Sequence, residues 1–347
     1  MKQLALAVAS ALALWGSFPG TTMAAGDSMA PTKDDQKWLF SGPPPSPADN
    51  QPTPERVELG KMLFFDPRLS SERNLACANC HNPVFGWTDG LPTAKGFKSK
   101  VLGRETPTIV NSGYTTLQMW DGRRASLEDQ AMGPMESQDE MAMDLSALFS
   151  WLNSNPTYQA AFSRAYPGEA VDKATTSKAI AAFERTIISD DSPFDRWVRG
   201  DKTAMSARQV HGFRLFEDPA KGNCAVCHAA PNFTDGGFHN IGLAVYGRTN
   251  PDVGRFAIKP LPSLKGAFKT PTLRDIALTA PYFHDGSARS LIEVVEHYNK
   301  GGETKTDLSP EIKPLNLTRE EMQDIVAFMQ ALTTPPKPVT LPLLPAN

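Results

Sequence analysis

Two short motifs, Cys77-Ala-Asn-Cys80-His81 and Cys224-Ala-Val-Cys227-His228, use all four cysteines of the 347-residue chain. Cys-x-x-Cys-His is the attachment signature of c-type haem. Two thiols add to the porphyrin vinyl groups and the adjoining histidine binds the iron. The two-residue spacer lets one helical turn present both sulfurs and the imidazole to the same macrocycle. Two copies therefore predict two covalently bound haems c, with His81 and His228 as iron ligands. The same residues have other uses. Four thiolates can hold zinc, and a Cys-x-x-Cys pair can act as a redox dithiol or close as a disulfide. Each of these leaves the two histidines without a task, and the zinc site must also unite pairs far apart in sequence.

Such motifs need helices to carry and cover them. Pro54 to Phe65 reads as a helix, with Thr53 as N-cap and Pro54 at the first helical position. Ser206 caps a helix running to about Glu217, and each of these helices precedes a haem motif. Ala174 to Ile188 is a further helical stretch. Ser290-Leu-Ile-Glu293 and Thr318-Arg-Glu-Glu321 read as capping boxes. The last helix carries Met322, Ile325, Val326, Phe328, Met329 and Leu332 on one face. No segment alternates with period two for long. The expected fold is all-α, with two cytochrome-c-like domains at 55–195 and 196–335, each holding one haem.

The flanks read differently. Residues 1–25 have the pattern of a secretory signal: Lys2, an apolar run from Leu4 to Trp15, and small residues at Thr22-Met23-Ala24-Ala25. That predicts export to the periplasm and no membrane span after cleavage. Residues 26–54 are polar and proline-rich and read as a linker, and 336–347 as a tail. A net charge of −3 without basic runs gives no sign of nucleic-acid binding. Thirty prolines against 25 glycines predict long, stiff loops.

Beyond the haem motifs, Leu59-Gly-Lys-Met-Leu-Phe-Phe-Asp-Pro-Arg-Leu-Ser70, Trp120-Asp-Gly-Arg123, Leu127-Glu-Asp-Gln-Ala131, Ser192-Pro-Phe-Asp195 and Leu278-Thr-Ala-Pro-Tyr-Phe-His284 resemble the bacterial di-haem cytochrome c peroxidase superfamily, which includes MauG-like enzymes. Phe-His239-Asn-Ile-Gly-Leu243 resembles the MauG-like set. The resemblance spans roughly residues 55–335. It implies that the N-terminal haem reacts with hydrogen peroxide, that the C-terminal haem relays electrons, and that a calcium ion sits between them.

Two positions bear on the branch. Where ordinary peroxidases of this superfamily place a histidine that caps the resting N-terminal iron, this chain has Phe97, which cannot ligate. The N-terminal haem is therefore expected to keep an open sixth site. At the distal position of the C-terminal haem, where ordinary members have methionine, Tyr298 aligns, as in MauG-like members. A phenolate is a hard anionic donor that favours oxidised iron. The neighbouring His297 is the competing ligand.

The resemblance also assigns roles on the open face. Glu140 would move a proton between the peroxide oxygens, Gln130 would stabilise the leaving hydroxide, and Pro134 would shape the pocket. Trp120 would be a hopping station between haems. Glu105, with the main-chain oxygens of Thr279 and Pro281, would hold the calcium, although the family usually has asparagine where Glu105 stands. His284 is expected near the C-terminal haem and His211 in a structural role. Met119, Met132, Met135, Met141 and Met143 lack metal-ligand spacing and read as gap-filling core residues. The expected activity is a peroxide-dependent oxidation of an external partner: a small cytochrome c, a copper protein, or a protein substrate oxidised at Trp or Tyr. An ordinary cytochrome c peroxidase and a non-catalytic di-haem electron carrier are the alternatives.

Overall fold

The computed structural model describes residues 29–335 and 337–346, so the expected signal segment lies outside the described residues. The helices are α1 (Pro54–Phe65), α2 (Cys77–Cys80), α3 (Leu127–Ala131), α4 (Gly133–Glu136), α5 (Leu145–Ser154), α6 (Pro156–Ala165), α7 (Lys173–Glu184), α8 (Pro193–Val198), α9 (Ala207–Glu217), α10 (Leu291–Asn299) and α11 (Arg319–Ala331). Strands β1 (Phe238–His239) and β2 (Phe268–Lys269) form one short antiparallel ladder, a small exception to the all-α expectation. None of the helices is long and apolar enough to cross a membrane.

Two apolar clusters organise these elements. The first gathers α1 and α3 to α7 around Leu63, Phe64, Met135, Leu148 and Tyr158, and the second gathers α8 to α11 around Phe194, Trp197, Phe213 and Phe328. In each cluster a helix that precedes a haem motif crosses a later helix at a glycine. A Cβ on Gly60 of α1 would strike the carbonyl oxygen of Ala179 in α7, and one on Gly212 of α9 would strike that of Asp324 in α11. Backbones this close leave no room for a side chain, and the two crossings repeat the same device.

Local signals start and stop these helices. Thr53 accepts from Arg56 N at 3.3 Å, with Pro54 at the first position. Ser206 and Gln209 cap α9 reciprocally, as do Thr318 and Glu321 for α11. Ser290 caps α10, but the Glu293 carboxylate reaches Arg289 N at 2.7 Å instead of completing a box with Ser290. The helix expected over 174–188 ends at Glu184, after which Ile187 and Ser189 bond to Asn111.

The segment expected to be a linker is, from residue 29 onward, packed against both clusters. Trp38 is 1% exposed and stacks on Phe233 at 4.3 Å, and its indole donates to Glu217. Asp35 pairs with Arg214 at 2.8 Å, and Asn50, fully buried, donates to Glu128 and to the Lys178 carbonyl. The proline-rich composition sets a stiff path, but burial of one large indole decides that the path lies on the protein. The tail makes a similar contact at one point, where the Pro345 carbonyl accepts from Arg68 at 2.9 Å.

Arg274 anchors this arrangement. It is fully buried, forms two bonds to Asp195 at 2.8 and 2.9 Å, and donates to the carbonyls of Trp38 and Pro231. A buried guanidinium with every direction satisfied holds α8, the proline-rich segment around Trp38 and the loop after the second haem motif in one register.

Candidate active site

Both Cys-x-x-Cys-His motifs open onto a single cavity of about 700 Å³ between the two clusters. Cys77, Cys80, His81, Cys224, Cys227 and His228 all line it, and all four thiols are free. Burial pushes Cys77 and Cys224 up to about 12 and Cys80 to about 11, so these are neutral thiols facing an apolar space.

The two imidazoles are oriented alike. His81 Nδ1 donates to the Trp87 carbonyl at 3.2 Å and His228 Nδ1 to the Phe233 carbonyl at 3.0 Å. Each bond fixes the tautomer and leaves Nε2 as the free donor for iron. Burial lowers the pKa of both, which keeps them neutral. Four free thiols and two pre-oriented imidazoles around one cavity fit two covalently bound haems. They do not fit one zinc site. Among the described residues, the group of His, Cys, Asp and Glu close enough to share an ion is Cys227, Asp235 and His239. There His239 Nε2 donates to Asp235 at 2.8 Å, and Cys227 belongs to the second haem motif.

The residues expected on the open face also line the cavity. Gln130 comes from α3, Pro134 from α4 and Glu140 from the turn that follows, where Met141 N bonds back to the Pro134 carbonyl at 3.0 Å. Burial raises the Glu140 pKa, against the pull of Arg123, which shares the cavity wall. A carboxyl tuned upward holds a proton more readily at neutral pH.

Phe97 does not line the cavity; its ring lies beside Lys98 Nζ at 4.9 Å. Its loop is fastened to the Glu140 turn: Phe97 N bonds to the Asp139 carbonyl at 3.0 Å and Lys100 pairs with the Asp139 carboxylate at 2.5 Å. The chain has six histidines, and the four outside the motifs are engaged. His211 bonds Asp324 and bridges α9 to α11, His239 bonds Asp235, His297 donates to the Ile241 carbonyl at 2.8 Å, and His284 stacks on Phe268 at 3.5 Å.

Tyr298 and His297 are neighbours on α10, where successive side chains point about 100° apart. Tyr298 lines the cavity and its hydroxyl bonds to no described residue; His297 does not line it. Burial pushes the phenol's pKa up, so a cation in the cavity is what would hold it as a phenolate.

Trp120, Glu105, Thr279 and Pro281 all line the cavity, and the Trp120 indole donates to the Glu105 carbonyl at 2.9 Å. Glu105 is 6% exposed, and its carboxyl makes no hydrogen bond to a described residue and is pushed up to about 10 by burial and by Asp89. A buried carboxyl with no bonded cation, in the field of a second acid, is a donor that suits a hard divalent ion.

The expected methionine core is present: Met132, Met135 and Met141 are buried in the first cluster with Met143 packed on it, while Met119 lines the cavity. Sequence reading missed Lys269 and Glu184. Both line the cavity, and Glu184 is 3% exposed with one carboxylate oxygen unpartnered. Their signal is faint, since each sits in an unremarkable run and only the fold brings it to the cavity.

Residues 54–203 match the family model described as di-haem cytochrome c peroxidase, and residues 209–333 match that of cytochrome c. The chain is 44% identical over 304 residues to the methylamine utilization protein MauG of Methylorubrum extorquens, covering 87% of this chain and 84% of that protein. It is 36% identical to the cytochrome c551 peroxidase of Nitrosomonas europaea, covering 85% and 86%. The solved structure of a MauG-like protein associated with microbial copper homeostasis superposes with a TM-score of 0.79 at 31% identity, covering 86% of this chain and 94% of that one.

Proposed function

Because this chain belongs to the di-haem cytochrome c peroxidase family and is an enzyme of that family, we propose that it is a peroxide-dependent oxidoreductase of the MauG-like branch. It would withdraw electrons from an external partner through its C-terminal half. The observation that carries this reading is the placement of Tyr298 on the cavity with a free hydroxyl, while His297 is tied to Ile241.

Two haems c, when bound, would supply the redox chemistry of peroxide reduction and electron transfer. Cys77 and Cys80 would bind the first and His81 would ligate its iron. Cys224 and Cys227 would bind the second, with His228 and Tyr298 as its ligands. On the first haem's open face, Glu140 takes the proton from the inner peroxide oxygen and returns it to the outer one. Gln130 offers an amide N–H to the departing oxygen, and Pro134 narrows the space around both. Phe97 delivers no ligand, and its loop is held to Asp139. Trp120, on the wall of the shared cavity, would be the aromatic station for electron hopping.

Glu105, with the carbonyl oxygens of Thr279 and Pro281, would take a calcium ion, whose charge offsets the buried carboxylate. The expected export signal places the enzyme in the periplasm. Its partner there would be a small cytochrome c, a copper protein, or a protein oxidised at Trp or Tyr.

The ordinary cytochrome c peroxidase reading is favoured by the likeness to the Nitrosomonas europaea enzyme. One experiment separates the two. The loaded protein is given a single equivalent of hydrogen peroxide, with and without reduced small cytochrome c. A long-lived spectral change without donor and slow turnover with it support the MauG-like reading; fast turnover supports the ordinary peroxidase.

A further inference from the structure

One lysine on the cavity wall lacks the carboxylate partner that the buried arginines have. Among the described residues, the deeply buried arginines have carboxylate partners: Arg68 with Asp66, Arg185 with Glu128, and Arg274 with Asp195. Lys269, on β2, has none. Its side chain lines the cavity between the haem motifs, and its Nζ makes no hydrogen bond or ion pair with a described residue. The acid that acts on it, Asp235, is already bonded to His239 at 2.8 Å and to Gly237 N at 2.8 Å.

Its backbone is held firmly. Lys269 N donates to the Trp120 carbonyl at 2.8 Å, and the residue stands opposite Phe238 in the ladder. Strand alternation sends Phe268 to the other face, where it stacks on His284, beside Trp120. Lys269 is half-buried, its side chain on the cavity wall, and a lysine turned into an enclosed space normally meets a counter-charge there. Burial alone lowers it to about 8, a state that an anion in the cavity would reverse.

Each haem carries two propionates. Of the cavity's other cations, Arg104 and Arg123 are already paired with Asp252 and Asp121, which leaves Lys95 and Lys313 beside Lys269, and Lys269 is in the field of Asp235, next to Cys227 of the second motif. We propose that Lys269 is the binding residue for a propionate of the C-terminal haem, fixing that haem's edge to the Trp120 backbone. The inference rests on the two-haem reading above. A positive charge held against the haem favours the reduced form, so Lys269 raises the potential of the C-terminal haem as well as positioning it.

The test uses the full, haem-loaded chain. Haem content is measured first, since fewer than two haems in the wild type overturns the two-haem reading and the proposal with it. With two haems present, Lys269→Met and Lys269→Gln should lower the midpoint potential of the C-terminal haem in a spectroscopic redox titration. They should also shift its propionate bending band in resonance Raman spectra, and Lys269→Arg should restore both. Loss of the C-terminal haem from both neutral variants, with retention in Lys269→Arg, also supports the clamp. Unmoved potential and band, a shift confined to the N-terminal haem, or equal damage in all three variants would overturn it.

Discussion

The indole N–H of Trp120 donates to the main-chain carbonyl of Glu105 at 2.9 Å, and Glu105 N in turn bonds to the His284 carbonyl at 2.8 Å. The indole on the cavity wall is thus tied to the main chain of the residue whose carboxyl is the candidate cation ligand. Glu105→Ala should weaken calcium binding by roughly 10–100-fold, the range seen when a metal site loses a supporting group. Calorimetric titration of the calcium-stripped, haem-loaded protein measures this, and unchanged affinity would remove Glu105 from the site.

Tyr298 and His297 give opposite expectations despite adjacency. Tyr298→Phe removes the oxygen that faces the cavity, so the C-terminal haem should lose its low-spin ferric signal. His297→Gln removes a ring already bonded to Ile241, so the spectrum should stay as it was. Electron paramagnetic resonance of both variants decides the matter. A reversed pattern would make His297 the ligand.

Glu140→Gln keeps the shape of the cavity wall but cannot shuttle a proton. The second-order rate of peroxide reaction should fall by about 10²–10⁴-fold, with haem content and resting spectrum unchanged. Stopped-flow mixing with peroxide provides the rate. A loss below tenfold would mean that another group carries the proton.

Glu184 ties stability to pH. Burial raises its pKa from the ordinary 4.5 to about 8. Below 4.5 the carboxyl is protonated in folded and unfolded chains alike. Between 4.5 and 8 the folded form binds the extra proton, so stability falls as pH rises, by up to about 1.4 kcal/mol per unit. Above about 8 the loss is complete. Denaturant unfolding at pH 5 and pH 8 should show this decline in the wild type and a flatter profile in Glu184→Gln. Parallel profiles would place the titration elsewhere.

Chemistry written in contiguous residues was legible in the sequence; chemistry assembled by the fold was not. The haem motifs and the starts of α1, α9 and α11 depend on neighbours a few positions away, and the spacing displays them. Trp38 was hidden, because its proline-rich surroundings resemble a linker while its burial depends on Phe233 and Glu217, far along the chain. Lys269 was hidden for the same reason: nothing near it in sequence shows that its partner must come from the cavity. The choice between His297 and Tyr298 needed the phase of α10 relative to that cavity. Glu105 was seen through likeness alone, and the weight of its position comes from Asp89 and burial, which spacing does not carry.

The central claim is an N-terminal haem open to peroxide in the resting enzyme, beside a C-terminal haem capped by Tyr298. The resting ferric protein, loaded with two haems, tests it by electron paramagnetic resonance. The account predicts one high-spin and one low-spin signal, and reaction with peroxide without prior reduction. Two low-spin signals would show a ligand on the first iron that Phe97 and its fastened loop do not provide, and would contradict the open site.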